Sequence, residues 1–262
     1  MAFLFRRGFQ LPRRALGGRL SNASGPARNI LPRRVATEEL DHLAVDDPQA
    51  VRSRKDLYRI NRFMRTRAIF LHALTKLPGQ APQNMVELGC GDGRLMLELA
   101  RHLHQRWPAV QLTLVDRQAL VTEQTLQAFA DLGWQVRIAV EDVMNWAQRA
   151  DAPICDLMLC NLFMHHFAHE ELAVLLHALS ERTCMFFACE PRRARLPLLG
   201  SHLVALLGAN AVTRSDAVLS VHAGFRDDEL SLAWPRSPSA LWHLKEYSAG
   251  LFSHCFFAAR QA

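Results

Sequence analysis

The sequence has no uncharged apolar run close to the roughly 18–20 residues that a membrane-spanning helix requires. Its longest apolar stretch, residues 196–208, is broken by Pro197, Ser201 and His202, so a helical membrane protein is not expected. Six cysteines in 262 residues do not make a disulfide framework. The opening MAFLFRRGF places its arginines after a short apolar run rather than before it, unlike a secretory leader. A reducing, cytoplasmic setting is the expectation. Lysine is scarce too, with three against 28 arginines.

Acidic residues and lysine are missing altogether from residues 1–37, which hold eight arginines. Of the 31 basic residues this leaves 23 for the remainder, against 25 acidic ones, a net charge of −2. The high isoelectric point therefore belongs to the N-terminal segment, and the electrostatic case for a nucleic-acid-binding body disappears. That segment, rich in Arg, Gly, Pro, Asn and Ser and without a period, reads as a disordered basic tail over residues 1–37. A mitochondrial presequence is the alternative, weakened because arginine replaces lysine along the whole chain. Half the residues are apolar and 21% charged, a globular composition with material for a sizeable core.

Residues 38–80 read as a helical cap. Thr37 with Glu38 and Glu39 is a helix start, Pro48 ends that helix, and a longer one is expected over residues 49–77. There Leu57, Ile60, Met64, Leu71 and Leu74 recur at three-, four- and seven-residue steps, and Pro78-Gly79 stops it. From residue 81 to 262 the pattern alternates. Strands are expected at 85–88, 110–115, 135–140, 156–160 and 184–188, with helices at 95–104, 118–132 and 169–180 between them. Two further strand-like runs, 240–247 and 251–259, are joined by Ser248-Ala249-Gly250. Alternating βαβ units call for a parallel sheet covered on both faces, and the last two runs for an antiparallel hairpin at its end.

The sharpest chemical signal is Val86-Glu87-Leu88-Gly89-Cys90-Gly91-Asp92-Gly93. Glycines after a strand allow a tight turn and close approach of a ligand, and feed a helix N-terminus that favours anions. A dinucleotide fingerprint needs its third glycine one position later, and Glu87 would repel a pyrophosphate while suiting an ammonium. The loop thus prefers a nucleoside bearing an amino-acid zwitterion over NAD. Asp116 ends the second strand, where a carboxylate takes ribose hydroxyls. Asp142 follows the third and can accept from an exocyclic amine. Taken singly, each is an ordinary loop carboxylate; three in order at successive strand ends line one crevice.

With these residues the chain resembles the class I S-adenosylmethionine-dependent methyltransferases. VELGCGDG, LTLVDRQ, VEDVMNW and DLMLCNLFMHHF are similar to that family's first four cofactor-region motifs, in order. The resemblance implies a Rossmann-like, mostly parallel seven-stranded α/β sheet with a C-terminal antiparallel hairpin and S-adenosyl-L-methionine as cofactor. It puts Gly89 and Gly91 near the methionine part, Asp116 at the ribose, Asp142 at the adenine and Asn161 or Leu162 on the methionine side, with Glu87, Gly93, Arg117 and Val143 completing the expected cofactor-binding set. DLYRINRFM and GLFSHCFFAAR resemble, more loosely, bacterial small-molecule methyltransferases often encoded near type III polyketide synthases.

At the fourth-strand exit the family's nucleobase and amino N-methyltransferases carry an Asn/Asp-Pro-Pro-aromatic motif. Here Asn161-Leu162-Phe163 lacks both prolines, and no Pro-Cys pair serves pyrimidine attack. A hydroxyl acceptor benefits from a base near neutral pKa, for which His165 and His166 are candidates; shaping the pocket is the plainer role for both. His165, His166 and His169 cluster without an adjacent Asp or Cys, so no metal is expected. The cysteine pairs 155/160 and 184/189 fall on opposite strand faces and belong in the core. The apolar segment 196–207 suits a lid over a greasy acceptor or an ordinary core helix, and membrane-surface contact is a further option.

The expected function is methyl transfer to a small hydrophobic acceptor (phenol, quinol or polyketide-like) at oxygen. The alternatives are an RNA or protein methyltransferase docking through its basic tail, and a silent methyltransferase-like binding protein.

Overall fold

The computed structural model describes residues 31–77, 80–151, 154–236 and 241–261. Residues 31–262 form one compact unit. Seven strands build its sheet: β1 (Asn84–Leu88), β2 (Gln111–Asp116), β3 (Gln135–Val140), β4 (Cys155–Asn161), β5 (Thr183–Pro191), β6 (Trp242–Ala249) and β7 (Ser253–Arg260). Their order is β3-β2-β1-β4-β5-β7-β6. The first five are parallel, and the β6–β7 hairpin adds antiparallel strands with β7 against β5. This is the Rossmann-like sheet expected from the alternating pattern.

Both faces are covered because the central strands are apolar on both. One core gathers Leu88, Met158, Leu176, Phe186, Trp234 and Phe256. It lies under α5 (Val143–Gln148), α6 (His169–Arg182) and α9 (Glu229–Ala233). The other gathers Leu99, Trp107, Leu114, Phe129, Leu159 and Phe187. It lies under α2 (Thr66–Leu74), α3 (Arg94–Leu103) and α4 (Glu123–Ala130). In α3 Met96, Leu97, Leu99, Ala100 and Leu103 are buried, an apolar stripe at helical spacing that seats it on the sheet.

Three expectations are corrected. The single long helix over 49–77 is two: α1 (Pro48–Phe63) ends on Met64, and Arg65 takes a left-handed conformation at φ 59° before α2 begins. That break separates the apolar stripe by destination. Phe70 and Leu74 enter the core, whereas Leu57, Ile60 and Met64 line a cavity. The basic tail does not run to residue 37. Arg33 donates from Nε to the Ala223 carbonyl (2.8 Å) and from Nη2 to that of Phe167 (2.9 Å), and its guanidinium lies 4.5 Å over the Phe225 ring. The Arg34 amide donates to the His222 carbonyl (3.0 Å). The rest of the expected tail, residues 1–30, and the Pro78-Gly79 stop lie outside the described residues. Finally, the helix over 118–132 begins only at Glu123, because the Gln118 amide folds back on Asp116 Oδ1 (2.9 Å).

Residues 195–223 add α7 (Arg195–His202), a 3₁₀ turn (Val204–Leu207) and α8 (Ala211–Ala223). α8 and α9 carry no period that announces them in the sequence. Gly224 follows α8 because its backbone passes against the Pro191 carbonyl, where any Cβ would collide.

Candidate active site

Parallel pairing brings the carboxyl ends of β1 to β5 to one edge, and chain order reverses between β1 and β4. Ligands of open α/β sheets bind at such a switch point. Glu87 sits there, 4% exposed, and its Oε2 has no hydrogen-bond donor. Burial, then the charges of Asp116 and Asp92, push its carboxyl well above the usual range. Asn161 ends β4, and its Oδ1 is a second buried acceptor without a donor, while its Nδ2 donates to Asn61 Oδ1 (3.4 Å). Because Glu87 pairs in register with Leu159, Glu87 and Asn161 project to the same face. Two orphaned acceptors on one face at the switch point call for a donor such as an ammonium.

The loop after β1 encloses the same point. Gly89, Gly91 and Gly93 all have positive φ, and a side chain at Gly89 would run into the Phe163 ring. The Gly91 amide donates to Asp116 Oδ2 (2.8 Å), which ties the loop to the end of β2. Gly93 precedes the first turn of α3. Asp142 caps α5, accepting from the Met144 amide (2.8 Å), and Val143 is 5% exposed in the core. The Arg117 guanidinium is 3.4 Å from Asp41.

Residues 85–183 match the family model described as a methyltransferase domain. Residues 85–183 thus make up a methyltransferase domain. Over 85 residues it is 29% identical to trans-aconitate 2-methyltransferase of Rhodococcus jostii (strain RHA1), covering 32% of this chain and 30% of the relative. The same-named protein of Mycolicibacterium gilvum (strain PYR-GCK) is 30% identical over 92 residues, 35% of this chain and 31% of that one. The match thus spans under a third of these relatives' length. The plantazolicin methyltransferase BpumL, crystallised with SAH and a pentazolic desmethylPZN analog, superposes with a TM-score of 0.56 at 15% identity. It covers 82% of this chain and 92% of its own. An O-methyltransferase family protein from Burkholderia thailandensis gives 0.54 at 14% identity, over 83% and 61%. At these identities the likeness is one of fold. The narrower resemblance to methyltransferases near polyketide synthases finds no support among these proteins.

Next to the methyltransferase crevice lies a cavity of about 380 Å³. It is walled by Leu57, Ile60 and Met64 of α1, by α7, the following 3₁₀ turn and α8, and by Leu162 just past β4. Among the described residues no Lys, Arg or His lines it, and its charged groups are Glu38 and Asp216. Asp216 is spoken for, accepting from the Glu39 and Leu40 amides (2.9 and 3.1 Å).

Glu38 faces the cavity from one side and the protein interior from the other. Its Oε1 lies 3.3 Å from His165 Nε2 and accepts from the Ser220 hydroxyl. His165 Nδ1 is 2.9 Å from Glu190 Oε2. Glu190, fully buried near the end of β5, also accepts from the amides of Phe163 (3.1 Å) and Met164 (2.9 Å) through Oε1. Burial disfavours a charged His165, but its hydrogen bonds to Glu190 and Glu38 outweigh it and raise the pKa to about 9. Burial likewise opposes ionisation of Glu38 and Glu190, and in both the His165 partner wins and lowers the carboxyl below its ordinary value. His166 stacks on His165 with centroids 4.3 Å apart. Burial, then the His165 charge, lower its pKa, and Nδ1 is 3.5 Å from Asp41.

Neither histidine lines the cavity. His165 is 2% exposed with both ring nitrogens occupied, so the direct acceptor contact expected of it does not occur. Ligand atoms of Glu38, His165 and His166 come within 4.8 Å of one another; a protonated His165 already balances the carboxylates on either side of it. Glu38 and Glu190, which flank His165, are not among the site residues that the sequence motifs point to. For Glu190 a signal existed, an acidic residue at the end of the fifth strand like those of the first three.

Proposed function

We propose that the protein transfers a methyl group from S-adenosylmethionine to a hydroxyl of a small, uncharged, mainly apolar acceptor held in this cavity. The observation that carries the reading is an apolar chamber with one available carboxylate, Glu38, and with Leu162, the residue just past β4, in its wall. The crevice suits the cofactor: Glu87 and Asn161 offer acceptors to its ammonium, Asp116 to its ribose and Asp142 to its adenine. When bound, the cofactor supplies an electrophilic methyl on a sulfonium. The chain's part is to align the acceptor and exclude water, which dominates the demands of an in-line displacement.

Glu38 accepts the hydrogen bond of the acceptor hydroxyl. As this oxygen is methylated, Glu38 would take its proton. His165 and Glu190 act from behind, holding Glu38 ionised and oriented. A carboxylate-rich acceptor has nothing to meet it here. Trans-aconitate, the acceptor in the names of the two relatives, is therefore disfavoured, and phenols, quinols and polyketide-like phenolics are favoured.

A radiolabelled S-adenosylmethionine assay across two acceptor panels tests this. Methyl transfer to hydrophobic phenols or quinols, with none to trans-aconitate and other polycarboxylates, is the expected outcome. Turnover of the polycarboxylates alone would refute the assignment of the cavity.

A further inference from the structure

The rim of the cavity is greasy on its outside as well. Leu203, Leu206 and Phe63 line the interior, yet they are 51%, 81% and 59% exposed. On α7, Leu196 and Leu199 are 51% and 58% exposed and do not line the cavity. The Phe252 ring meets Phe63 at 5.8 Å and packs on Gly200, so the patch continues onto the β6–β7 turn, where Leu251 is exposed. Monomeric soluble proteins seldom leave so many large apolar side chains open in one place.

Exposed basic groups predominate on the helices around this patch. On α1, Arg52, Lys55, Arg59 and Arg62 are exposed, while the helix's one acidic residue, Asp56, is buried. No acidic residue occurs from 192 to 215, a stretch that includes Arg192, Arg195 and Arg214. Apolar side chains ringed by cations match the interface of a bilayer with anionic headgroups. A second copy of the chain is a poorer partner, because a two-fold contact would set one basic rim against the other.

We infer that this face docks on an anionic lipid surface, with the cavity mouth toward the bilayer, so that an apolar acceptor enters from the lipid. Entry from lipid rests on the cavity being the acceptor site; docking itself needs neither cofactor nor turnover.

The test uses the full chain without cofactor or acceptor, co-sedimented with vesicles of phosphatidylcholine alone or with added phosphatidylglycerol. Binding to the anionic vesicles, weakened by salt, is expected. The double variant Leu196→Glu/Leu199→Glu should lower partitioning on the order of tenfold or more, because two partly inserted leucines are lost. Its affinity for S-adenosylmethionine should equal that of the parent, which certifies the fold. Arginines in residues 1–37 act equally in both proteins, so the difference reads the leucines. Equal partitioning of parent and variant, or no binding by either, would overturn the inference. So would a parent dimer in sedimentation velocity that the variant dissolves, since a second copy would then cover the face. Vesicle binding without methyl transfer to any hydroxyl acceptor would instead leave the docking intact and remove the proposed reaction.

Discussion

Glu38→Gln is expected to lower kcat for the hydroxyl acceptor on the order of 10²-fold, with cofactor affinity unchanged. Glutamine keeps the size and one accepting oxygen, and the wall of the cavity stays in place. What goes is the charge that takes the proton as the oxygen acquires its methyl. A carboxylate held below its ordinary value is a weak base, so the effect belongs at the modest end of general-base contributions. The pH profile separates Glu38 from a histidine base. Glu38 is ionised down to below the ordinary carboxyl value of 4.5 because the His165 contacts outweigh burial. The acid limb of the wild-type rate should therefore lie below that value and the rate should be flat through neutrality. A limb near 6.5, the unperturbed histidine value, would move the role to His166.

The largest effect on stability is expected at His165. Glu190 is fully buried and Glu38 nearly so, and His165 is the cation between them. Removing one partner of a buried ionic network leaves uncompensated charge and costs about 3–5 kcal/mol. His165→Gln should therefore lower the melting temperature by roughly 10 °C, at about 2–4 °C per kcal/mol for a chain of this size. Its pH dependence has a definite sign. With the folded pKa raised to about 9 from 6.5, the histidine contribution is complete below 6.5 and fades as pH rises through 9. Glu38 and Glu190, both lowered, contribute above 4.5 and lose this as pH falls. Wild-type stability should peak between those limits, and the difference from His165→Gln should shrink on both sides. Urea unfolding of the two proteins across pH checks this; equal midpoints near pH 6 would contradict it.

Most of the sheet was legible because its signals are local. Residues 85–88, 110–115 and 135–140 are short apolar runs closed by glycine or acid, and period and punctuation suffice to place them. The crevice followed, since topology carries successive strand ends to one edge. Arg65 shows where locality fails. A helix broken by one left-handed arginine has no Pro or Gly to announce it, and tertiary packing of Phe70 and Leu74 decides the turn. The cavity was equally hidden. Leu57, Ile60 and Met64 have the spacing of a core stripe, and only the placement of α7 and α8 leaves space rather than protein against them. Glu38 lies 127 residues from His165, and no spacing rule links them. Residues 31–37 look like tail by composition, yet Arg33 finds three carbonyls and an aromatic face that no local pattern foretells.

The central claim is that the orphaned acceptors at the switch point receive the ammonium of S-adenosylmethionine. Calorimetric titration of the wild type and Glu87→Gln with S-adenosylmethionine, its demethylated product and NAD tests it most directly. The account predicts micromolar binding of the first two, roughly 8 kcal/mol, and no heat with NAD. Glu87→Gln should weaken both by about tenfold to hundredfold, the loss of one hydrogen bond to a charged group. Because burial holds the free Glu87 carboxyl well above 4.5, wild-type affinity should also increase as pH rises from the ordinary carboxyl range toward neutrality. NAD binding by a folded protein that ignores S-adenosylmethionine, or a Glu87→Gln variant that binds as tightly as the parent, would contradict it.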